Sequence, residues 1–114
     1  MKDWDDVVAF ALTLPDTVVA THYGGPAIKV ASNGRAFLSM SREPGSFVLS
    51  IDFDTKEMLL ESDPDTFWQT SHYEGWPGLL VRYASTDPDR VHAMIERARD
   101  QAAARKPSKS RKKA

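Results

Sequence analysis

A chain of 114 residues with 41% hydrophobic and 27% charged residues has the balance of one ordinary folded domain. The absence of cysteine excludes disulfides, thiolate zinc sites and cysteine nucleophiles, and fits a reducing compartment. The net charge of −1 conceals a strong asymmetry. Residues 105–114 carry Arg105, Lys106, Lys109, Arg111, Lys112 and Lys113 and no acid, which leaves nine of the 15 basic residues against all 16 acids in a body of −7.

The chain opens on Met1-Lys2-Asp3-Trp4-Asp5-Asp6 with no apolar segment of signal type behind it. Its longest apolar stretch, Val7 to Leu14, is interrupted by Thr13 and falls far short of the roughly 20 residues that cross a bilayer. The expectation is a cytoplasmic monomer with no membrane contact.

From Asp3 to Leu14, Trp4, Val7, Val8, Ala11 and Leu12 recur at helical spacing, with Asp3 placed to cap and Pro15 to terminate. Val18 to Tyr23 reads as a strand broken by Gly24-Gly25-Pro26. Ala27 to Val30 reads as a second, with Ile28 and Val30 on one face and Lys29 on the other. Asn33-Gly34 suggests a type I′ hairpin turn into a strand from Arg35 to Ser41. After Glu43-Pro44-Gly45-Ser46, alternation places Phe47, Leu49, Ile51 and Phe53 on one face of a further strand.

Asp54 and Glu57 resemble a capping box, which predicts a short helix to about Glu61. Asp63-Pro64 repeats a helix-start signal before Phe67 and Trp68. Beyond Gly75-Trp76-Pro77-Gly78, Leu79 to Tyr83 reads as a strand. Asp87-Pro88 opens the longest helix, with Val91, Met94, Ile95, Ala98 and Ala102 as its stripe. Consecutive strands joined by short turns imply an antiparallel sheet. The fold class is therefore α+β: about five antiparallel strands with N-terminal and C-terminal helices packed on one face. Residues 1–104 form the single domain, and residues 105–114 a disordered basic tail.

Catalytic signatures are missing: no nucleophile elbow, phosphate loop, dinucleotide fingerprint or His-Glu-x-x-His stretch occurs. No enzyme activity, metal or cofactor is expected. Asp63 with Asp65, and Asp87 with Asp89, fall where helices start, and dipole complementarity accounts for them. His92 lies on the last helix between core positions, as a surface or boundary residue. Two segments echo one another, His22-Tyr23 before a turn and strand, and His72-Tyr73 followed by Trp76. If the strands they precede were neighbours, these rings could form a cluster for a base, a small aromatic ligand or a protein partner. Each ring could equally serve packing alone. Lys29, Arg35 and Arg82 lie on the less buried side and could contact phosphates. The tail has the composition of a nucleic-acid-binding arm or of a solubilising terminus.

Leu14-Pro15, Tyr23-Gly24-Gly25-Pro26-Ala27-Ile28-Lys29-Val30 and Gly34-Arg35-Ala36-Phe37-Leu38 resemble the MmcQ/YjbR family of small bacterial proteins. So do the strand Val48 to Asp52, the helix Lys56 to Leu60, the segment Phe67 to Trp76 and the closing helix after Asp87-Pro88. The resemblance implies a curved antiparallel sheet with helices packed on it and DNA binding through a double-wing arrangement of sheet and loops. Taken with the acidic body, it leads to the expectation of a low-specificity DNA-binding protein. The tail would supply most affinity, and Lys29, Arg35 and Arg82 would orient the body.

Overall fold

The computed structural model describes residues 1–107. In chain order it contains α1 (Trp4–Ala11), β1 (Thr17–His22), β2 (Gly25–Val30), β3 (Ala36–Met40), β4 (Ser46–Ser50) and α2 (Phe53–Ser62). These are followed by β5 (Phe67–Trp68), a 3-10 turn (Ser71–Tyr73), β6 (Gly78–Arg82) and α3 (Pro88–Ala103). The strands form one antiparallel sheet in the order β1-β2-β3-β4-β6-β5. The expected α+β architecture is observed, with one strand more than expected. Phe67 and Trp68, read as helix anchors, instead pair with Val81 and Leu80 and add a short edge strand.

Each helix begins on an aspartate. The Asp3 carboxylate accepts from the Asp6 N–H at 3.1 Å, and the Asp87 carboxylate accepts from that of Arg90 at 3.2 Å. Asp52, not Asp54, caps α2 by accepting from the Thr55 N–H at 3.0 Å. That cap ends the strand pattern early. Phe53, expected on the buried face, becomes the first residue of α2 and is 47% exposed. Asp63 closes α2 rather than opening a further helix. The N-terminal helix stops at Ala11, and turns closed by Thr13 and Leu14 N–H groups carry the chain on to Pro15.

The type I′ turn exists, but at the other hairpin. His22 pairs with Gly25, and the two residues between them, Tyr23 and Gly24, both have positive φ (54° and 80°). Asn33 lacks a positive φ, so Asn33-Gly34 does not form the expected I′ turn. Instead the Asn33 side chain is buried and its amide donates to the carbonyl oxygens of Ala102 (2.8 Å) and Arg105 (3.2 Å), while its oxygen accepts from the Arg35 N–H at 3.0 Å. It thus supplies the last turn of α3 with donors that the helix cannot provide itself. A tertiary demand overrode the local turn preference.

The core lies between one face of the sheet and the helices. Trp4, Val7 and Ala11 of α1, Leu59 of α2, and Val91, Ile95, Ala98 and Ala102 of α3 meet Ile28, Val30, Leu38, Phe47, Leu49, Phe67, Leu79 and Val81. A bulge opposite Ile28 and Lys29 puts Phe37 into the same cluster as its neighbour Leu38, although simple alternation would separate them. Phe37, Leu38, Leu49, Ile51, Leu79 and Val81 are all buried. His92 lies at the boundary, half-buried and stacked on Phe10 with ring centroids 4.0 Å apart. Among the described residues no helix is long and apolar enough to cross a membrane.

Candidate functional site

The register defines the face that no helix covers. Cross-strand partners share a face, so Val18–Lys29, Ser39–Val48, Val48–Leu80 and Leu80–Trp68 mark it out, as do Ser46–Arg82 and Ser50–Gly78. Ala27, Val48 and Leu80 are nevertheless fully or almost fully buried without belonging to the core cluster. The segment between β5 and β6 reaches over this face, where Trp76 lies against Gly78.

That segment is fixed from below by a buried lysine. Lys56 projects from the first turn of α2, is 4% exposed, and donates through Nζ to the carbonyl oxygens of Tyr73 (2.6 Å) and Trp76 (2.7 Å). Burial pushes its pKa down, with Glu74 opposing. The ammonium bonds to the backbone of the two residues that present aromatic rings here, and those rings meet edge to face at 5.6 Å. Trp76 lies against the strand backbone at Gly78, where a Cβ would collide with the indole carbons. Farther along β6, the Arg82 guanidinium sits over the Trp68 ring at 4.6 Å, and the Trp68 indole N–H donates to the Ser46 hydroxyl at 3.0 Å.

Acidic residues are missing from the strands themselves. The six strands contain Lys29, Arg82 and His22 and not one aspartate or glutamate. Outside the helices and their caps the only acids are Asp16, Glu43, Asp65 and Glu74. Among the described residues the one salt bridge joins Arg99 to Asp100, so Lys29, Arg82 and Arg42 of the β3–β4 turn hold no carboxylate. Burial, followed by the nearby Lys29 charge, lowers the His22 pKa. The Tyr73 hydroxyl is pushed up by burial and by Glu43, with Arg42 opposing.

The residues singled out from sequence fall into separate groups. Lys29 and Arg82 share the uncovered face. Arg35 lies in the β2–β3 connection, where its Nε donates to the Lys106 carbonyl at 2.7 Å, so Arg35, Arg105 and Lys106 gather at the end of α3. Lys109, Arg111, Lys112 and Lys113 lie outside the described residues. The two His-Tyr segments precede β2 and β6, which β3 and β4 separate, so the condition for a joint cluster is not met. Ring contacts run within each segment: His22–Tyr23 at 4.3 Å, and His72–Tyr73 at 4.9 Å leading on to Trp76. Tyr23 stands 97% exposed at the hairpin tip. A cavity of about 320 Å³ beside the end of α3 is lined by Ala36, Ile51, Asp52, Pro77, Gln101 and Arg105, and by none of these rings.

Sequence reasoning missed Lys56, Trp68 and Gly78. Lys56 stands three residues before Leu59 on the buried stripe of its helix, a position where a lysine needs a partner. Gly78 was absorbed into a turn signal, although its role is to leave room for an indole ring.

No curated protein and no solved structure matches the chain. The YjbR family model matches residues 12–101, which spans α2, all six strands and nearly all of α3, and the chain belongs to the YjbR family.

Proposed function

We propose that this protein is a non-enzymatic nucleic-acid-binding module of low sequence specificity, and that it binds through the uncovered face of its sheet with help from the basic tail. One observation carries the reading: the strands present Lys29, Arg82 and His22 without a single acid, while the acids cluster on the helices and their caps. The body of −7 is therefore no uniform repulsive surface. A polyanion approaching the sheet meets Lys29 and Arg82 on the strands, with Glu43 and Glu74 beside the Tyr73–Trp76 segment as the nearby acids and the low-dielectric wall of the domain between it and the helix carboxylates. Isolated lysine and arginine side chains suit phosphates, which fix position without encoding sequence. Residues 105–114, as a cationic arm, add affinity of the same sequence-independent kind.

Fluorescence anisotropy across a salt series tests this. The full chain is compared with a Lys29→Ala/Arg82→Ala variant and with a variant carrying glutamine at Lys109, Arg111, Lys112 and Lys113. Each phosphate contact adds about 0.9 to the slope of log K against log salt, so the face variant should lose about 2 and the tail variant about 4. Absence of binding at about 50 mM salt, where such contacts are strongest, would sink the proposal.

A further inference from the structure

The uncovered face carries a feature that phosphate binding does not require. We infer that it takes single-stranded nucleic acid in preference to duplex, with an unpaired base stacked on the Trp76 ring while Lys29 and Arg82 meet phosphates. This rests on the nucleic-acid reading above.

Trp76 is 39% exposed, yet it is held from several directions. One side of the indole lies on the backbone at Gly78. The Trp76 N–H donates to the Tyr73 carbonyl at 3.1 Å, and the Gly78 N–H donates to the Trp76 carbonyl at 2.8 Å. Lys56 binds both carbonyls from the interior, and the Tyr73 ring meets the indole edge-on. An indole fixed in this way, with part of its surface open, is a preorganised platform: little rotamer freedom remains to be lost when a second ring stacks on it. The Arg82 guanidinium, already stacked on Trp68, supplies a cationic plane on the same side of the sheet. Aromatic rings and arginine planes interleaved with single cations are what unstacked bases and their phosphates require, and every base has a π-face, so such recognition tolerates any sequence.

A duplex cannot use this surface in the same way, because its base faces are occupied by their own stack and only groove edges and phosphates remain. The elements best shaped to enter a groove are poorly charged for it. The β1–β2 hairpin has no lysine or arginine from Thr17 to Ile28, and in the β3–β4 turn Arg42 is followed by Glu43.

The test measures binding of the unaltered full chain to an oligothymidylate of about 15 nucleotides, within the usual site sizes, and to a duplex of equal length at the same salt. The single strand should bind at least about tenfold more tightly and should quench tryptophan fluorescence as the base stacks, at the strength usual for one stacked base. Trp76→Ala should weaken single-strand binding by about 5- to 100-fold and leave duplex binding within about twofold, whereas Trp76→Phe should retain most of the single-strand affinity. Equal or tighter binding of the duplex overturns the inference and leaves the nucleic-acid reading standing; so does an equal loss on both substrates in Trp76→Ala. Binding of neither substrate removes both. The strand comparison uses the unaltered chain and does not depend on how any variant folds.

Discussion

The two faces of the sheet are built from the same strands and differ in almost every other respect. Toward the helices, Ile28, Leu38, Phe47, Leu49, Leu79 and Val81 are closed off from solvent and make one apolar cluster. Away from them, Lys29, Ser39, Ser50, Trp68 and Arg82 keep contact with solvent, while Ala27, Ser46, Val48 and Leu80 on the same face are buried. The first face holds the domain together, and no helix lies on the second. The contrast also shows why a net charge misleads: a body of −7 can present a surface whose strands contain no acid at all.

If the division is right, disturbing the covered face should act on stability. Phe47→Ala removes a fully buried ring between α-helical and β-sheet layers and should cost about 3–5 kcal/mol in urea denaturation. Lys29→Ala on the other face should change stability by less than about 0.5 kcal/mol, and Arg82→Ala, which loses its stack on Trp68, by no more than about 1 kcal/mol. Comparable losses at Phe47 and Arg82 would erase the distinction.

Lys56 links the two faces, and its replacement sharpens the comparison. Lys56→Met keeps the buried stem but leaves the carbonyls of Tyr73 and Trp76 without their donor, at a cost of about 2 kcal/mol. The loss should be local. Amide exchange at Trp76 and Gly78, whose N–H groups close the turn, should accelerate while the strands β2–β4 keep their protection. Uniform loss of protection would make Lys56 a core residue only.

A smaller effect concerns acid. Asp52 holds two elements together, capping α2 and exchanging hydrogen bonds with Gln101 of α3, to whose Oε1 its N–H donates at 3.1 Å while its carboxylate accepts from Nε2 at 2.6 Å. Hydrogen bonding from Thr55, against an opposing effect of burial, and then from Gln101, holds its carboxyl at about 2 in place of the usual 3.8. A folded pKa below the unfolded one gives stability that is fully present above about pH 4 and lost as pH falls toward 2. Asp52→Asn should remove that part of the acid dependence. Unfolding curves between pH 5 and pH 2.5, taken at roughly half-unit steps, would show it as a shallower decline.

The helices and most of the core were legible in the sequence because their signals are local and redundant. Asp3 and Asp87 precede periodic apolar residues, and alternation located the buried Phe47, Leu49 and Ile51. Where single short signals competed with long-range demands, the reading failed. Asn33-Gly34 has the composition of a type I′ turn, but the end of α3 needs donors and takes the Asn33 amide. Tyr23-Gly24 adopts that turn although tyrosine is a poor residue for positive φ, because the paired strands on either side impose it. Phe67-Trp68 is too short to announce a strand and exists only because β6 offers an edge. Of the site, Lys29, Arg82, Tyr73 and Trp76 were visible as residues. Their arrangement was not, since it depends on the sheet order and on a lysine whose role appears only once the 3-10 turn is placed above it.

The central claim is that the uncovered face of the sheet is the binding surface. An NMR titration of the full chain with a short oligonucleotide tests it most directly. The account predicts shifts concentrated at Lys29, Ser39, Trp68, Arg82 and the Trp76 indole N–H, with the helices silent. Shifts confined to the exposed sides of α1, α2 and α3, or to the tail alone, would contradict it.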